Sequence, residues 1–165
     1  DLCGWTGQMG FGEPEAWMAN AYTAESDETL EAVGFYATAP DTEYEVYVFD
    51  GDSIREHVEN NVKFQADSGK ILASGTLPDT GFYTVNLAKS QGLDAGELFV
   101  VAVKIRTPGT TQPVAVEYAG SGRTGNVDIG DGEGYISFDG SLWERTETSK
   151  RCNVCLKAYS RKIGR

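Results

Sequence analysis

Apolar and polar residues alternate with period two along most of the chain, the pattern of strands that bury one face. The clearest case is Glu97–Thr107. There Phe99, Val101, Val103 and Ile105 share one side, and Val100, Ala102, Lys104 and Arg106 the other. The same alternation marks strands over Ala16–Ala24, Thr29–Thr38, Glu43–Phe49, Lys70–Leu77, Phe82–Leu87, Pro113–Ala119, Tyr135–Phe138 and Asn153–Tyr159. Turn residues separate them, with Pro78 and Gly81 in their usual places around Asp79-Thr80. About eight or nine short strands at this spacing predict an all-β fold, most simply a jelly-roll-like β-sandwich.

One stretch breaks the alternation. Ser53 followed by Glu56 forms a capping-box pattern, which predicts a short helix near 52–59. It stands in a hydrophilic excursion over 51–69 that reads as a decorated loop. No repeat or low-complexity linker interrupts the 165 residues, so 1–165 reads as a single domain. A chain of about this size buries roughly 68–70 % of its unfolded surface, enough for a core. Because it starts at Asp1 rather than Met, the sequence is expected to be a processed or excised piece.

Charge then narrows the function classes. Residues 1–144 hold 24 acids and 7 bases, whereas 145–165 hold one acid and seven bases. The body is therefore strongly acidic, which argues against nucleic acid as a partner. The basic end, with a tail over 160–165, reads as a strand and tail that lower the self-repulsion of that body. A docking tail for an acidic partner is the alternative. No apolar run reaches the ~18–20 residues of a spanning helix, so no membrane insertion is expected.

Catalytic signals are sparse. His57, the only histidine, falls in the excursion and reads as an exposed helix residue. No Gly-rich phosphate loop follows a strand, and no H-E-x-x-H occurs. Cys152 and Cys155 form a C-x-x-C without a second pair or histidine ligands, which disfavours zinc. In a strand these two point apart, so the expected pairing is Cys3 with Cys152, leaving Cys155 a buried free thiol. The acid-rich turn carrying Asp128, Asp131 and Glu133 offers hard oxygens of the kind calcium prefers, and these three are the candidate ligands of a structural calcium. Aromatic side chains suit sites that are partly apolar and partly wet. Trp143, Trp5 and Tyr118, with Asp139 to bond hydroxyls, are the candidate ligand-binding residues for a glycan. Trp17, beside Met18 in an apolar strand, reads as core.

Several segments together resemble a known module. Trp17-Met-Ala-Asn-Ala-Tyr-Thr-Ala24, Leu30-Glu-Ala-Val-Gly-Phe-Tyr36 and Tyr44-Glu-Val-Tyr-Val-Phe49 open the match. Gly81-Phe-Tyr-Thr-Val-Asn-Leu87, Phe99-Val-Val-Ala-Val-Lys-Ile-Arg-Thr-Pro-Gly109 and Gly134-Tyr-Ile-Ser-Phe-Asp-Gly-Ser-Leu-Trp143 continue it in order. The chain resembles the lectin-like domain found C-terminal to papain-like cysteine peptidases in secreted and surface proteins of bacteria and methanogenic archaea. That resemblance implies an extracellular or cell-surface β-sandwich without catalytic activity, binding glycan or cell-wall polymer beside a peptidase domain. Two other classes stand beside it: a structural subunit that joins copies of itself through sheet edges, and a hydrolase on a sandwich fold.

Overall fold

The computed structural model describes residues 7–118, 133–146 and 152–163, with the Tyr118 side chain outside the description. Alternating strands need something to bury their apolar faces against, and they find it in two packed layers. One layer is a six-stranded sheet in the order β10-β9-β2-β7-β4-β5. Its strands are β2 (Glu15–Thr23), β4 (Thr42–Asp50), β5 (Ala73–Leu77), β7 (Leu98–Arg106), β9 (Glu133–Ser137) and β10 (Trp143–Arg145).

The other layer is built from two three-stranded sheets. The first joins β1 (Gly7–Met9), β8 (Val114–Tyr118) and β11 (Cys152–Val154); the second joins β12 (Leu156–Lys162), β3 (Glu28–Ala37) and β6 (Gly81–Leu93). β11 and β12 are one chain path broken only at Cys155. Its first half pairs with β8 and its second with β3. The Cys155 N–H donates to the Ala115 carbonyl at 3.0 Å across that break, so the two sheets meet as one layer. The carbonyl of Leu156, at the changeover, accepts from Tyr22 Oη and from Asn20 Nδ2 of the facing layer. A backbone acceptor displaced from its ladder is thus satisfied from across the sandwich.

Between the layers lies the main core. β2, β4, β7 and β9 send in Met18, Val46, Val101, Val103, Ile105 and Ile136, against Leu30, Val33, Phe35, Val116 and Leu156. The all-β sandwich expected from the alternation is what forms, with twelve strands among the described residues. The extra ones are short: β1 and β10 span three residues each, too few to show a period. β6 runs on past Leu87 to Leu93, because an edge strand exposed on one side tolerates the polar run Ala88–Gly92.

The excursion does more than decorate. β4 runs straight into helix α1 (Gly51–Asn60), capped by Asp50, whose carboxylate accepts from the Asp52 N–H at 3.1 Å. The expected cap, Ser53, therefore sits inside the first turn. Gly51 is required at the corner, since a Cβ there would collide with the Leu98 side chain. α1 and the 3-10 turn Ala66–Ser68 cover half of the outer face of the six-stranded sheet. Ile54, Phe64 and Ala66 pack there on Trp17, Ala19, Tyr47, Val100, Ala102, Tyr135 and Trp143, making a second core.

Candidate functional site

On the outer side of the second layer, three strands place their outward residues in register. Gly34 of β3 is flanked by Thr84 on β6 and Lys157 on β12. One step along, Tyr36 pairs with Phe82; in the other direction Ala32 pairs with Asn86 and Tyr159. Glycine leaves a gap in the middle of this surface, and the neighbouring rings fill it. A Cβ at Gly34 would lie 2.5 Å from Phe82 Cζ, 3.0 Å from Tyr159 Cε2 and 3.1 Å from Tyr159 Oη. Gly34 is accordingly buried, while Phe82 and Tyr159 remain 40 % and 39 % exposed above it. Tyr36 meets Phe82 edge-on, with ring centroids 5.0 Å apart. The result is an aromatic floor across β12, β3 and β6, edged by the exposed Thr84 and Asn86 and the half-buried Lys157.

Tyr36 brings a hydroxyl to this floor. Burial pushes the Tyr36 hydroxyl above its ordinary value, and the nearby Cys155, Glu117 and Tyr159 push the same way against Lys157. Tyr36 thus stays a protonated donor and acceptor at neutral pH. Cys155, close enough to Tyr36 to act on its hydroxyl, is a buried free thiol, as expected, and burial raises it to about 12. The arrangement offers apolar ring area beside amide, hydroxyl and ammonium groups.

The residues expected at a site fall elsewhere. Trp143 is corrected from an exposed sugar platform to core: it is 5 % exposed, packed edge-on to Trp17 at 6.2 Å and against Phe64 at 6.3 Å. Its indole N–H donates to the Gly140 carbonyl at 2.8 Å. His57, expected on the surface, is buried beside it. The Trp143 backbone N–H donates to His57 Nε2 at 3.1 Å, and His57 Nδ1 faces the Val62 carbonyl at 2.7 Å, which assigns the neutral Nδ1–H tautomer. Trp17 is core, as expected. Asp139 is exposed and holds its own turn, accepting from the Ser141 and Leu142 N–H groups at 2.9 and 3.1 Å. Those bonds hold its carboxyl below the usual range.

Glu133 is engaged by protein groups: Arg55 of α1 grips both its oxygens, and Tyr135 Oη donates to Oε2 at 2.9 Å. A cation at that carboxylate would have to displace the guanidinium. Trp5, Asp128, Asp131 and Cys3 lie outside the described residues. Cys152 is buried, with its Sγ 3.4 Å from Met9 Sδ. At Tyr118 only the backbone, paired with Cys152, is described.

A family model for the lectin-like domain matches residues 1–160. The chain belongs to the lectin-like domain family. No curated protein matches it. Among solved structures it is similar to the cysteine protease and lectin-like domains of Cwp84, a surface layer associated protein of Clostridium difficile. That match has 26 % identity and a TM-score of 0.68, over 91 % of this chain and 33 % of that one. A second structure, of the clostridial cysteine protease Cwp84 after propeptide cleavage, gives 25 % identity and a TM-score of 0.66, over 92 % and 37 %. The chain thus spans about a third of the length of the solved chains it matches, and corresponds to their lectin-like portion rather than the protease.

Proposed function

We propose that this lectin-like domain is a non-catalytic glycan-binding module, and that it holds neutral cell-wall or surface polysaccharide on the aromatic floor over Gly34. One observation carries the reading: Phe82 and Tyr159 expose their rings over Gly34 on one sheet face, with the half-buried Tyr36 edge-on to Phe82 and Thr84, Asn86 and Lys157 on the edge. The apolar C–H face of a pyranose ring matches such a surface, and its hydroxyls match the polar edge. The likeness to a surface layer associated cysteine protease supports an extracellular or cell-surface setting, with this domain tethering a peptidase to its polymer. Affinity electrophoresis of the chain in gels cast with purified cell-wall polysaccharides tests it. Retardation that weakens about tenfold or more in Tyr159→Ala and Phe82→Ala is expected. Migration unaffected by every polymer, or retardation indifferent to both substitutions, would count against it.

A second reading has its own support. Among the described residues β6 is a 13-residue edge strand of its sheet, tied off that edge at Ala88, whose N–H donates to the Leu72 carbonyl, and the remainder is a template for strand addition between copies of the chain. Size-exclusion chromatography separates the two, since self-assembly requires a concentration-dependent rise in mass.

A further inference from the structure

The opposite side of the molecule carries a second surface that the glycan reading does not use. α1 covers only part of the outer face of the six-stranded sheet, and beyond it two cross-strand rows carry charged side chains to the surface. One row runs Thr76–Glu43–Arg106–Glu15, the other Ser74–Glu45–Lys104–Trp17. Two adjoining hollows of about 390 and 450 Å³ open over them and share Glu15, Lys104 and Arg106. These volumes fall within the roughly 300–1,000 Å³ range of small-ligand sites. The second hollow is closed at its rim by Asp67, Asp139 and the half-exposed Phe138.

We infer that this trough binds a short zwitterionic peptide, its carboxylate straddled by Lys104 and Arg106 and its ammonium held by Glu43 and Glu45. Lys104 and Arg106 stand two residues apart on β7, so both project from the same face about 7 Å apart. Glu43 and Glu45 make the matching column on the adjacent strand, roughly 5 Å to the side. The ion pairs among them are loose: Lys104 Nζ is 3.7 Å from Glu15 Oε1, and Arg106 Nε is 3.8 Å from Glu43 Oε2, while Glu45 accepts from Tyr47 Oη at 2.9 Å. Lys104, Glu15, Arg106 and Glu43 are between 34 % and 58 % exposed, and Glu45 is half-buried. Exposed pairs of this kind are worth only about 0–1 kcal/mol, so exchanging them for ligand groups costs little. A purely cationic ligand would meet Lys104 and Arg106 in the floor, and a purely anionic one would face a rim where carboxylates outnumber the two bases. The trough floor offers a neutral sugar no ring to stack on, because Trp17 lies buried beneath Lys104, whose Nζ is 6.0 Å from the indole centroid, and the rim Phe138 is engaged edge-on by Phe11.

The test is an NMR titration of the ¹⁵N-labelled chain with three blocked peptides. Ac-Ala-Lys-Ala carries both charges, its C-terminal amide only the ammonium, and Ac-Ala-Ala-Ala only the carboxylate. Saturable amide shifts on β4 and β7 are expected for the first, weakening about tenfold or more when either charge is removed. The same loss is expected in Lys104→Gln and Glu45→Gln, two exposed changes whose folding is checked by their spectra. Absence of saturable shifts, or equal affinity for all three peptides, overturns the inference. Polysaccharide retardation, which depends on the other sheet, is expected unchanged in both variants, so the two readings fail separately.

Discussion

Replacing His57 by alanine tests the second core most sharply. The imidazole is buried between α1 and β10 and makes two hydrogen bonds, to the Trp143 N–H and the Val62 carbonyl. Removal leaves the buried Trp143 donor without its acceptor, at a cost of about 1–3 kcal/mol, and forfeits a second bond worth about 0.5–1.5 kcal/mol. Val62 is exposed, so water can serve its carbonyl and the second loss lies at the low end. The expected total is therefore about 1.5–3.5 kcal/mol. For a domain of this size each kcal/mol moves the midpoint by roughly 2–4 °C, so Tm should fall by about 3–14 °C. Urea and thermal unfolding of His57→Ala, with the exposed neighbour Glu56→Ala as control, measure it. The control should stay within about 0.5 kcal/mol. A His57→Ala variant as stable as that control would refute the claim that the histidine pins the helix to the sheet.

Gly34→Ala introduces a Cβ beneath the Phe82 and Tyr159 rings, so it should cost only about 1 kcal/mol, because exposed rings can lift, yet abolish polysaccharide retardation; full retardation with the fold intact would argue against the floor. Glu133 is held below its ordinary pKa of 4.5 by Arg55, so its stabilising contribution is complete above that value and is lost as pH falls through the lowered one. Acid unfolding of Glu133→Gln should accordingly show a shallower loss of stability below about pH 4.5 than the parent chain, and identical pH profiles would remove the pair from the account. Cys155, raised to about 12 by burial, should resist iodoacetamide at pH 8 until urea unfolds the chain, and peptide mass analysis showing rapid native alkylation there would contradict its burial.

The sandwich was legible because its strands keep one face to the main core along their length, and that shared face writes itself as alternation. The second core was not. Ile54, His57, Phe64 and Ala66 are scattered through a polar stretch, and their helix offers only a few apolar positions. A signal was present on the strands they cover: Val100 and Ala102 make β7 apolar on both sides, the mark of a strand buried on both faces. Lys104 and Arg106 mark where that cover stops. Trp143 misled because a tryptophan after an Asp-Gly-Ser turn looks exposed, whereas Gly140 turns the chain with φ +83° directly against Trp17. The aromatic floor could not be read from spacing, since Gly34, Phe82 and Tyr159 meet only once β3 lies between β6 and β12. Glu133 read as a candidate calcium ligand, and the side chain that holds its carboxylate, Arg55, comes from a helix 78 residues earlier.

The central claim, that the floor over Gly34 is where glycan binds, is tested most directly by mapping. The ¹⁵N-labelled chain is titrated with fragments of cell-wall polysaccharides from a glycan panel, and amide shifts are followed residue by residue. The account predicts saturable shifts centred on Gly34, Tyr36, Phe82, Thr84, Lys157 and Tyr159, absent in Tyr159→Ala. Shifts centred on any other face, or no saturable binding across the panel, would contradict it.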